Sequence, residues 1–401
     1  MKYDFDVVIV GAGVVGATLA CALRDSGLHI AMLDARSPET FSADSELDLR
    51  VFALSRASIR ILDALGAWET IRAMRASPYR EMHVWDAGGK GSVHFDCADV
   101  GEPWLGYIVE NRLIQHALLR QLESARSVRL IAPATPTAVH PDVDGVSLTL
   151  ENGQRYRARL LVAADGAASA TRQQLGIETR GWRYAQQAIV AHLNVERPHR
   201  QAAWQRFLAT GPLAFLPLAD GRVSLVWSAD DARAAQLQAL DDAAFCREVS
   251  SASEHILGNV TRTTRRASFP LQLLHAEHTV GTRHALIGDA AHVAHPLAGQ
   301  GVNLGLLDAA TFADVVLGAH QRDRDIGDPG VLRRYERARK ADNLTMLYAL
   351  DGFKRLFSND DAALTVLRNC GMRAVDAFTP LKSVFMRRAM GLSGELPSLA
   401  R

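Results

Sequence analysis

The chain contains 401 residues, 48% of them hydrophobic, and its formal net charge is +1. This size and apolar content predict a large core and two domains with a short C-terminal part, whereas the near-zero charge gives no electrostatic basis for binding nucleic acid. The cysteines show no metal-ligand spacing and favour buried thiols in a reducing cytoplasm; they are Cys21, Cys97, Cys246 and Cys370.

The N-terminal segment combines an apolar run, Phe5–Val10, which is typical of a buried strand, with a helix predicted to open over residues 17–23. The turn between them has the G-x-G-x-x-G pattern of a dinucleotide site, formed by Gly11, Gly13 and Gly16. A second predicted strand, residues 29–33, ends at Asp34, where a carboxylate can accept a hydrogen bond from a ribose hydroxyl. The pattern by itself leaves NAD and FAD equally open.

An Asp-Gly pair follows the next strongly apolar stretch, a strand predicted over residues 159–164. The pair consists of Asp165 and Gly166, and Arg172 lies shortly after it.

A long Gly-Asp motif lies between an apolar strand, residues 284–287, and an apolar-periodic helix, residues 302–317. The free amides and positive dipole end at such a helix start stabilise negative charge, and glycines let the backbone approach a ligand closely. The motif therefore predicts a site for an anionic ring. Its candidate binding residues are Gly288, Asp289, Pro296, Gly299, Gly301, Val302 and Asn303.

These three motifs together resemble those of the class A flavoprotein aromatic hydroxylases, and the stretch from residue 295 to residue 308 resembles the signature of the ubiquinone-biosynthesis hydroxylases. The resemblance covers nearly the whole chain and implies FAD as the cofactor, with NAD(P)H and O2 as cosubstrates. It implies that Asp289 bonds the ribityl chain and that Asp165 and Gly166 lie near the pyrophosphate and the nicotinamide route. It also implies that Arg50 and Arg112 flank the FAD.

The resemblance further implies a reaction in which reduced FAD and O2 form a C4a-hydroperoxide that hydroxylates a polyprenylated phenol, with Pro296 beside the reactive edge and the helix at Val302 stabilising the reduced ring. This chemistry requires no metal. The tail from residue 388 to residue 392 and the segment from residue 82 to residue 86 look closest to the 2-polyprenylphenol 6-hydroxylase branch. The alternatives are hydroxylation at another ring position in the same pathway, or a flavin-binding accessory subunit without catalysis of its own.

The fold expected from this resemblance is an α/β fold of the para-hydroxybenzoate hydroxylase type. The motifs predict a discontinuous, Rossmann-like FAD-binding domain interleaved with a largely antiparallel β-sheet substrate domain, followed by a helical C-terminal segment. We place the FAD-binding domain at residues 1–75, 100–180 and 270–345, the substrate domain at 76–99 and 181–269, and the helical segment at 346–401.

No catalytic base is assigned, because packing or loop hydrogen bonding is the better interpretation for each candidate histidine: His83, His94, His192, His292 and His295. Several large side chains can line a pocket for a prenylated ring, with core packing as the equal alternative: Trp85, Phe95, Phe215, Leu216 and Trp227.

The early first strand leaves no room for a secretory signal, and no continuous apolar run approaches the roughly 18 residues of a spanning helix. We therefore expect a cytoplasmic enzyme. The C-terminal stretch combines apolar residues with Lys382, Arg387 and Arg388, which predicts a basic amphipathic surface at the inner face of the membrane. Docking onto the FAD-binding domain or a partner subunit is the alternative. A ubiquinone-biosynthesis protein complex and a homo-oligomer are the partner hypotheses.

Overall fold

The computed structural model describes residues 3–359 and 361–401, and within them the chain forms three β-sheets and eleven α-helices. The strands are β1 Phe5–Val10, β2 Ile30–Leu33, β3 Val51–Leu54, β4 Ser77–Tyr79, β5 Glu81–Asp86, β6 Ser92–Asp96, β7 Gly106–Glu110, β8 Val128–Ile131, β9 Pro136–Pro141, β10 Val146–Leu150, β11 Arg155–Ala163, β12 Thr179–Val195, β13 Ala202–Leu208, β14 Gly211–Pro217, β15 Val223–Asp230, β16 Val260–Thr263, β17 Ala267–Ala276, β18 Val280–Gly281, β19 His284–Leu286 and β20 His292–Val293. The helices are α1 Val14–Leu23, α2 Arg56–Ala64, α3 Trp68–Met74, α4 Asn111–Arg120, α5 Ala170–Gln174, α6 Asp231–Ala239, α7 Asp242–Ala252, α8 Gln300–His320, α9 Pro329–Phe357, α10 Ala362–Ala377 and α11 Thr379–Ala389.

The first sheet has eight strands, and its main path runs β18-β19-β11-β1-β2-β8. Its central pairs are parallel, with Val8 opposite both Leu161 and Ala31. Parallel strands are buried on both faces, which explains why β1 is an unbroken apolar run rather than an alternating one. Helices α1, α4 and α8 cover one face, and the pair β9 and β10 covers part of the other. The carboxyl ends of β1, β2, β11 and β19 therefore lie along one edge, where all three sequence motifs begin.

The second sheet has nine strands in the order β20-β17-β12-β15-β14-β13-β5-β6, with β16 paired to β12. Its pairs are antiparallel except for β13 and β5. One face packs against α6 and α7 around Trp227 and Phe215. The opposite face packs against α9 and α10 around Val84, Phe207 and Phe357. This is the mixed α/β fold that the sequence predicts.

The sheets draw on several separate stretches of the chain, as a discontinuous domain requires. The eight-stranded sheet uses residues 5–33, 128–163 and 280–286, and the nine-stranded sheet uses residues 81–96, 179–276 and 292–293. Strand β17 belongs to the nine-stranded sheet on both sides of the predicted boundary at residue 270. Helix α9 begins at Pro329, earlier than the predicted helical segment. The domain limits themselves stay a prediction.

One helix of the described chain, α8, is long and apolar enough to cross a membrane. The sequence predicts this helix over residues 302–317, although polar residues such as Asp308 interrupt any continuous apolar run in it. Of its 18-residue apolar stretch, 67% is buried inside the fold, as in the core helix of a globular domain.

Candidate cofactor site and active-site loop

The glycine turn after β1 combines two crowded positions with one open position. A Cβ on Gly11, whose φ is +107°, would lie 2.3 Å from the Ala164 carbonyl oxygen, and a Cβ on Gly16 would lie 1.9 Å from the Gly11 carbonyl oxygen. Around the position that a Cβ on Gly13 would take, by contrast, no atom of another described residue outside its chain neighbours and its own helix turn lies within 4 Å. Helix α1 also has no side-chain cap and no acidic residue in its first turn. Close packing therefore requires glycine at positions 11 and 16. Gly13 instead lies beside an open space at the uncapped start of α1.

The carboxylate of Asp34 is held beside this turn at the end of β2. Its Oδ2 accepts a hydrogen bond from the Ala12 amide at 2.7 Å, and its Oδ1 accepts one from the Arg36 amide at 2.9 Å. Gln115 on α4 donates to the Ala12 carbonyl from the other side, at 2.7 Å. These hydrogen bonds hold the Asp34 carboxylate beside the glycine turn. Its ribose contact stays a prediction.

The Gly-Asp pair follows β19 at the same edge of the sheet. Gly288 adopts a φ of +59°, and a Cβ there would lie 3.1 Å from the Val15 side chain on α1. Asp289 follows it with a partly exposed side chain, and its Oδ2 lies 3.7 Å from Nη2 of Arg50. The structure thus brings together two residues that the sequence analysis assigned separately to the flavin.

The Asp-Gly pair after β11 has a capping role. Asp165 accepts hydrogen bonds from the Ser169 hydroxyl at 2.5 Å and the Thr171 amide at 3.0 Å, which orders the start of α5. Arg172 is buried, and its Nη1 donates to the Ala290 carbonyl at 2.9 Å. This contact links the Asp-Gly loop to the Gly-Asp loop. Burial lowers the pKa of the Arg172 guanidinium.

Arg112 is anchored by the segment that precedes β3. Its Nη1 donates to Glu39 at 3.3 Å and its Nη2 to the Glu46 carbonyl at 3.1 Å, while its backbone amide donates to Asp48 at 3.3 Å. The side chain therefore ties the start of α4 to this segment. Its predicted contact with FAD stays untested.

Asn303 lies in the first turn of α8, and both polar atoms of its side chain are hydrogen-bonded within the protein. Its Oδ1 accepts from the Ser55 amide at 2.9 Å and the Ser58 hydroxyl at 2.7 Å. Its Nδ2 donates to the Ala53 carbonyl at 2.9 Å and the Gly299 carbonyl at 3.1 Å. The side chain thus ties the β3–α2 connection to α8, and its predicted contact with FAD stays untested.

The loop between Pro296 and Val302 ends in an uncapped helix start. Gly299 has a φ of +61° and packs beside Ala53, where a Cβ on the glycine would lie 3.1 Å from the Ala53 Cβ. Within the described part of the chain, the position that a Cβ on Gly301 would take has no atom within 4 Å apart from its chain neighbours and the backbone of its own helix. Helix α8 has no side-chain cap and no acidic residue in its first turn. Its dipole and first-turn amides are therefore suited to an anionic partner.

Asp308 is the buried centre of a polar network that the sequence analysis did not assign. Its carboxylate accepts hydrogen bonds from His292 at 2.6 Å, Arg339 at 2.8 Å, Asn343 at 3.0 Å and the Gly288 amide at 3.2 Å. Burial raises the pKa of Asp308, but the opposing charges of His292 and Arg339 outweigh it and hold the pKa well below its usual range. The network joins the Gly-Asp loop to α8 and α9. The i,i+4 spacing of Arg339 and Asn343 was its one sequence signal.

His295, next to Pro296, is buried as a neutral ring. Its Nδ1 accepts from the Leu297 amide at 3.3 Å, and its ring meets Tyr184 edge-on with 5.1 Å between centroids. No hydrogen-bond partner for its Nε2 lies among the described residues. Burial, assisted by the charge of Lys354, lowers the pKa of His295 to about 3. A proton acceptor this weak is a poor general base near neutral pH.

Leu297, in the same loop, packs into an apolar cluster between the nine-stranded sheet and helices α9 and α10. We call this the loop cluster; its buried members are Val84, Val93, Phe207, Leu297, Leu350, Phe357 and Met372. Among the proposed pocket residues, Phe95 packs against this cluster. Phe215 and Trp227 instead lie on the opposite face of the nine-stranded sheet, in the core beneath α6 and α7. Successive residues of a strand point to opposite faces of its sheet. For Phe215 and Trp227, core packing rather than the lining of a substrate pocket is therefore the correct interpretation.

The remaining two candidates for the pocket differ from each other. Trp85 donates from its indole N–H to Glu254 at 3.0 Å, on the face away from the loop cluster. Leu216 packs near Ala53 and Tyr79, close to the Gly299 turn. Leu216 therefore lies on the cofactor side of the sheet.

The profile of the FAD binding domain family matches residues 4–346 of the chain. The chain belongs to this family. It is 42% identical over 399 residues to the "Ubiquinone hydroxylase UbiL" of Rhodospirillum rubrum, covering 99% of this chain and 92% of that protein. It is 40% identical to the 3-demethoxyubiquinol 3-hydroxylase of Escherichia coli, covering 96% and 98% of the two chains. It is 37% identical to the human mitochondrial ubiquinone biosynthesis monooxygenase COQ6, covering 95% and 92%. The chain is thus a ubiquinone-biosynthesis hydroxylase of the FAD-dependent monooxygenase family.

Solved structures of the same fold include the p-nitrophenol 4-monooxygenase PnpA of Pseudomonas putida, with a TM-score of 0.78 and 18% identity over 98% of this chain and 100% of that one. HpxO of Klebsiella pneumoniae, solved in complex with FAD, has a TM-score of 0.75 and 20% identity over 96% and 98%. FAD is the cofactor of this enzyme. The open spaces beyond Gly13 and Gly301, each beside an uncapped helix start, fit its pyrophosphate and its anionic reduced ring.

Proposed function

We propose that the chain hydroxylates the ring of a 2-polyprenylphenol ortho to its hydroxyl group, with NAD(P)H and O2 as cosubstrates. The resemblance of residues 82–86 and 388–392 to the 2-polyprenylphenol 6-hydroxylase branch supports this ring position, and the position of the loop cluster supports a prenylated substrate. Leu297, in the turn that leads into α8, belongs to the same buried apolar cluster as Val84 and Phe207 of the nine-stranded sheet. A prenylated ring is apolar and needs such a surface beside the flavin edge.

Each part of the site has a distinct task in this reaction. Bound FAD, once reduced, supplies the oxygen-activating chemistry. The amides at the start of α8 stabilise negative charge on the reduced ring, and the space beyond Gly13 takes the pyrophosphate. The apolar side chains around Leu297 exclude water from the reacting atoms, and this protects activated oxygen from release as hydrogen peroxide.

A second candidate is hydroxylation of a demethoxyubiquinol, at a later step of the same pathway. The observation in its favour is the 40% identity to the Escherichia coli 3-demethoxyubiquinol 3-hydroxylase over 96% of this chain. Both substrates carry an electron-rich ring and a prenyl tail, so both require the same apolar surface. They differ only in the groups already present on the ring.

Gene deletion followed by mass spectrometry of the accumulated quinone precursor distinguishes the two candidates. Our proposal predicts a precursor that lacks the first ring hydroxyl, and re-expression of the wild-type chain should restore ubiquinone. A precursor that already carries this hydroxyl and is blocked later would instead support the second candidate. Unchanged ubiquinone, together with purified protein that oxidises NAD(P)H without product, would support the accessory-subunit alternative.

Two glycine variants provide matched controls for this experiment. Gly13→Ala adds a methyl group to the open space assigned to the pyrophosphate, where the backbone φ of −68° tolerates it. Gly371→Ala adds the same group to α10, also with no atom within 4 Å. Only Gly13→Ala should reduce FAD content and fail to restore ubiquinone.

We also propose that the protein contacts the inner face of the membrane through α10 and α11. These two helices and Phe378 between them expose several large hydrophobic side chains: Val366, Leu367, Phe378, Leu381, Val384 and Phe385. The helices also carry three exposed basic residues that suit anionic lipid headgroups, Arg373, Arg387 and Arg388, whereas Arg368 and Lys382 are buried in ion pairs. A membrane surface would shield the exposed apolar groups and give access to a lipid-soluble substrate.

Vesicle binding tests this contact. Leu367→Glu with Val384→Glu should abolish co-sedimentation with vesicles that contain anionic lipid, because both side chains are more than 60% exposed. Val143→Glu, which changes an 82% exposed valine in the turn between β9 and β10, serves as the control. Unchanged co-sedimentation of the double variant would contradict the proposal. A loss of self-association, or of binding to other ubiquinone-biosynthesis proteins, without any change in vesicle binding would favour a partner subunit or homo-oligomer at this surface.

A further inference from the structure

Three side chains with metal-ligating groups converge at the edge of the nine-stranded sheet. Glu81 and His83 lie two residues apart on β5, so their side chains point to the same face. His94 lies directly opposite His83 on the neighbouring edge strand β6. The two imidazoles and the carboxylate are therefore brought together by strand register alone.

The ligand atoms of this group already lie close to one another. Oε2 of Glu81 is 3.3 Å from Nε2 of His83 and 2.9 Å from Nε2 of His94. One atom from each of the three residues falls within 4.8 Å of the others. In a tetrahedral Zn²⁺ site, nitrogen and oxygen ligands at about 2.0–2.2 Å from the ion are separated by about 3.3–3.6 Å. Because an ion must lie near the plane of each imidazole that binds it, one of the two histidine rings would have to rotate out of its stack for all three side chains to contact one ion.

The two imidazole rings stack on each other, and one of them also stacks on a tryptophan. His83 stacks on His94 with 4.3 Å between centroids and on Trp204 of β13 with 4.0 Å. His94 is also held at its backbone, because its amide donates to Asp376 and its carbonyl accepts from Lys382.

We propose that Glu81, His83 and His94 bind a divalent transition-metal ion, with Zn²⁺ as the preferred class and water completing its coordination. Two imidazoles with one carboxylate form a ligand set that favours such ions over Mg²⁺ and Ca²⁺, which prefer all-oxygen sites. Partial exposure of all three residues leaves an entry path and open coordination positions.

The site lies apart from the flavin chemistry. Val84 and Val93 alternate with these ligands on β5 and β6 and point to the opposite face, where they join the loop cluster. A bound ion would therefore link the two outermost strands of the sheet and, through His94, the region contacted by α10 and α11. We expect a bound ion to stabilise the β5–β6 edge of the nine-stranded sheet.

Cobalt absorption spectroscopy and calorimetry with Zn²⁺ test the proposal on the FAD-loaded enzyme after EDTA treatment. We expect one Zn²⁺ per chain, a higher melting temperature with Zn²⁺ but not with Mg²⁺, and visible absorption bands when Co²⁺ is added. His94→Asn should weaken Zn²⁺ binding by at least about 100-fold, because removal of a ligand exceeds the 10–100-fold effect of outer partners. Glu81→Gln, nearly the same shape, should weaken it as well.

His278→Ala removes an exposed histidine 4.0 Å from Glu336 and serves as the matched control, with unchanged Zn²⁺ binding expected. The melting temperature of each variant in EDTA should equal that of the wild type, which separates loss of a ligand from loss of folding. No saturable binding of Zn²⁺ to the wild type would overturn the proposal. So would Co²⁺ bands that persist in both His94→Asn and Glu81→Gln, because the ion would then be held elsewhere.

Discussion

The guanidinium of Arg50 lies 3.7 Å from the carboxylate of Asp289, across the space between the segment before β3 and the loop after β19. Both side chains are substantially exposed, so solvent weakens their attraction, and such pairs contribute about 0–1 kcal/mol to folding. We therefore expect the Arg50–Asp289 pair to serve FAD binding rather than the stability of the fold.

Arg50→Ala should leave the melting temperature of the protein nearly unchanged and weaken FAD binding by about 10-fold, equivalent to about 1.4 kcal/mol. Fluorescence titration of the apoprotein with FAD measures this effect. Arg72→Ala breaks a comparably exposed pair with Glu69 and should change neither quantity. Equal FAD affinity in the wild type and Arg50→Ala would remove Arg50 from the cofactor site.

Asp308→Asn should destabilise the protein by about 3–5 kcal/mol, because the buried Arg339 would lose its charged partner. Urea denaturation of the holoenzyme measures this loss. Asp314→Asn, a more exposed acid on the same helix, is the control and should cost less than about 1 kcal/mol. If both variants unfolded at the same urea concentration as the wild type, Asp308 would not hold the Gly-Asp loop to α9.

His295 should make stability depend on pH between about 6.5 and 3. The folded pKa of about 3 lies below the unfolded value of 6.5, so the unfolded chain binds a proton first as the pH falls. Stability should then decrease by about 1.4 kcal/mol per pH unit below 6.5 on account of this residue.

His295→Gln should flatten that dependence, whereas His140→Gln, in which the replaced histidine is exposed on β9, should leave it unchanged. Urea denaturation at pH 6.5 and 5.0 gives both slopes. An identical slope in the wild type and His295→Gln would mean that His295 is not buried as a neutral ring.

Arg368→Ala should release α10 from the β5–β6 hairpin. Nε of Arg368 lies 2.8 Å from the buried carboxylate of Asp86, and Asn369 donates to the same oxygen at 2.7 Å. Removing the arginine leaves Asp86 without a counter-charge and should cost about 3–5 kcal/mol. Arg373→Ala, an exposed position on the same helix, should have little effect. Hydrogen exchange at α10 measures the release, and equal protection in both variants would contradict it.

Local sequence patterns predicted much of this architecture. The apolar run of β1 was predicted with its observed bounds, and the glycine pattern located the turn at Gly13, because both depend on neighbouring residues. The Asp308 network could not be predicted, since Arg339 and Asn343 become its partners only when α9 packs against α8. Nor could the sequence decide that Phe215 and Trp227 face α6 and α7, because alternation defines two faces without saying what covers each.

We propose above all that this chain uses FAD to insert an oxygen atom from O2 into the ring of a 2-polyprenylphenol. Incubation of the FAD-loaded protein with NAD(P)H, the phenol and ¹⁸O2, followed by mass spectrometry, tests it most directly. The account predicts a product with one added hydroxyl ortho to the phenol and with ¹⁸O in that hydroxyl. NAD(P)H consumption that yields only hydrogen peroxide, or a hydroxylated product without ¹⁸O, would contradict it.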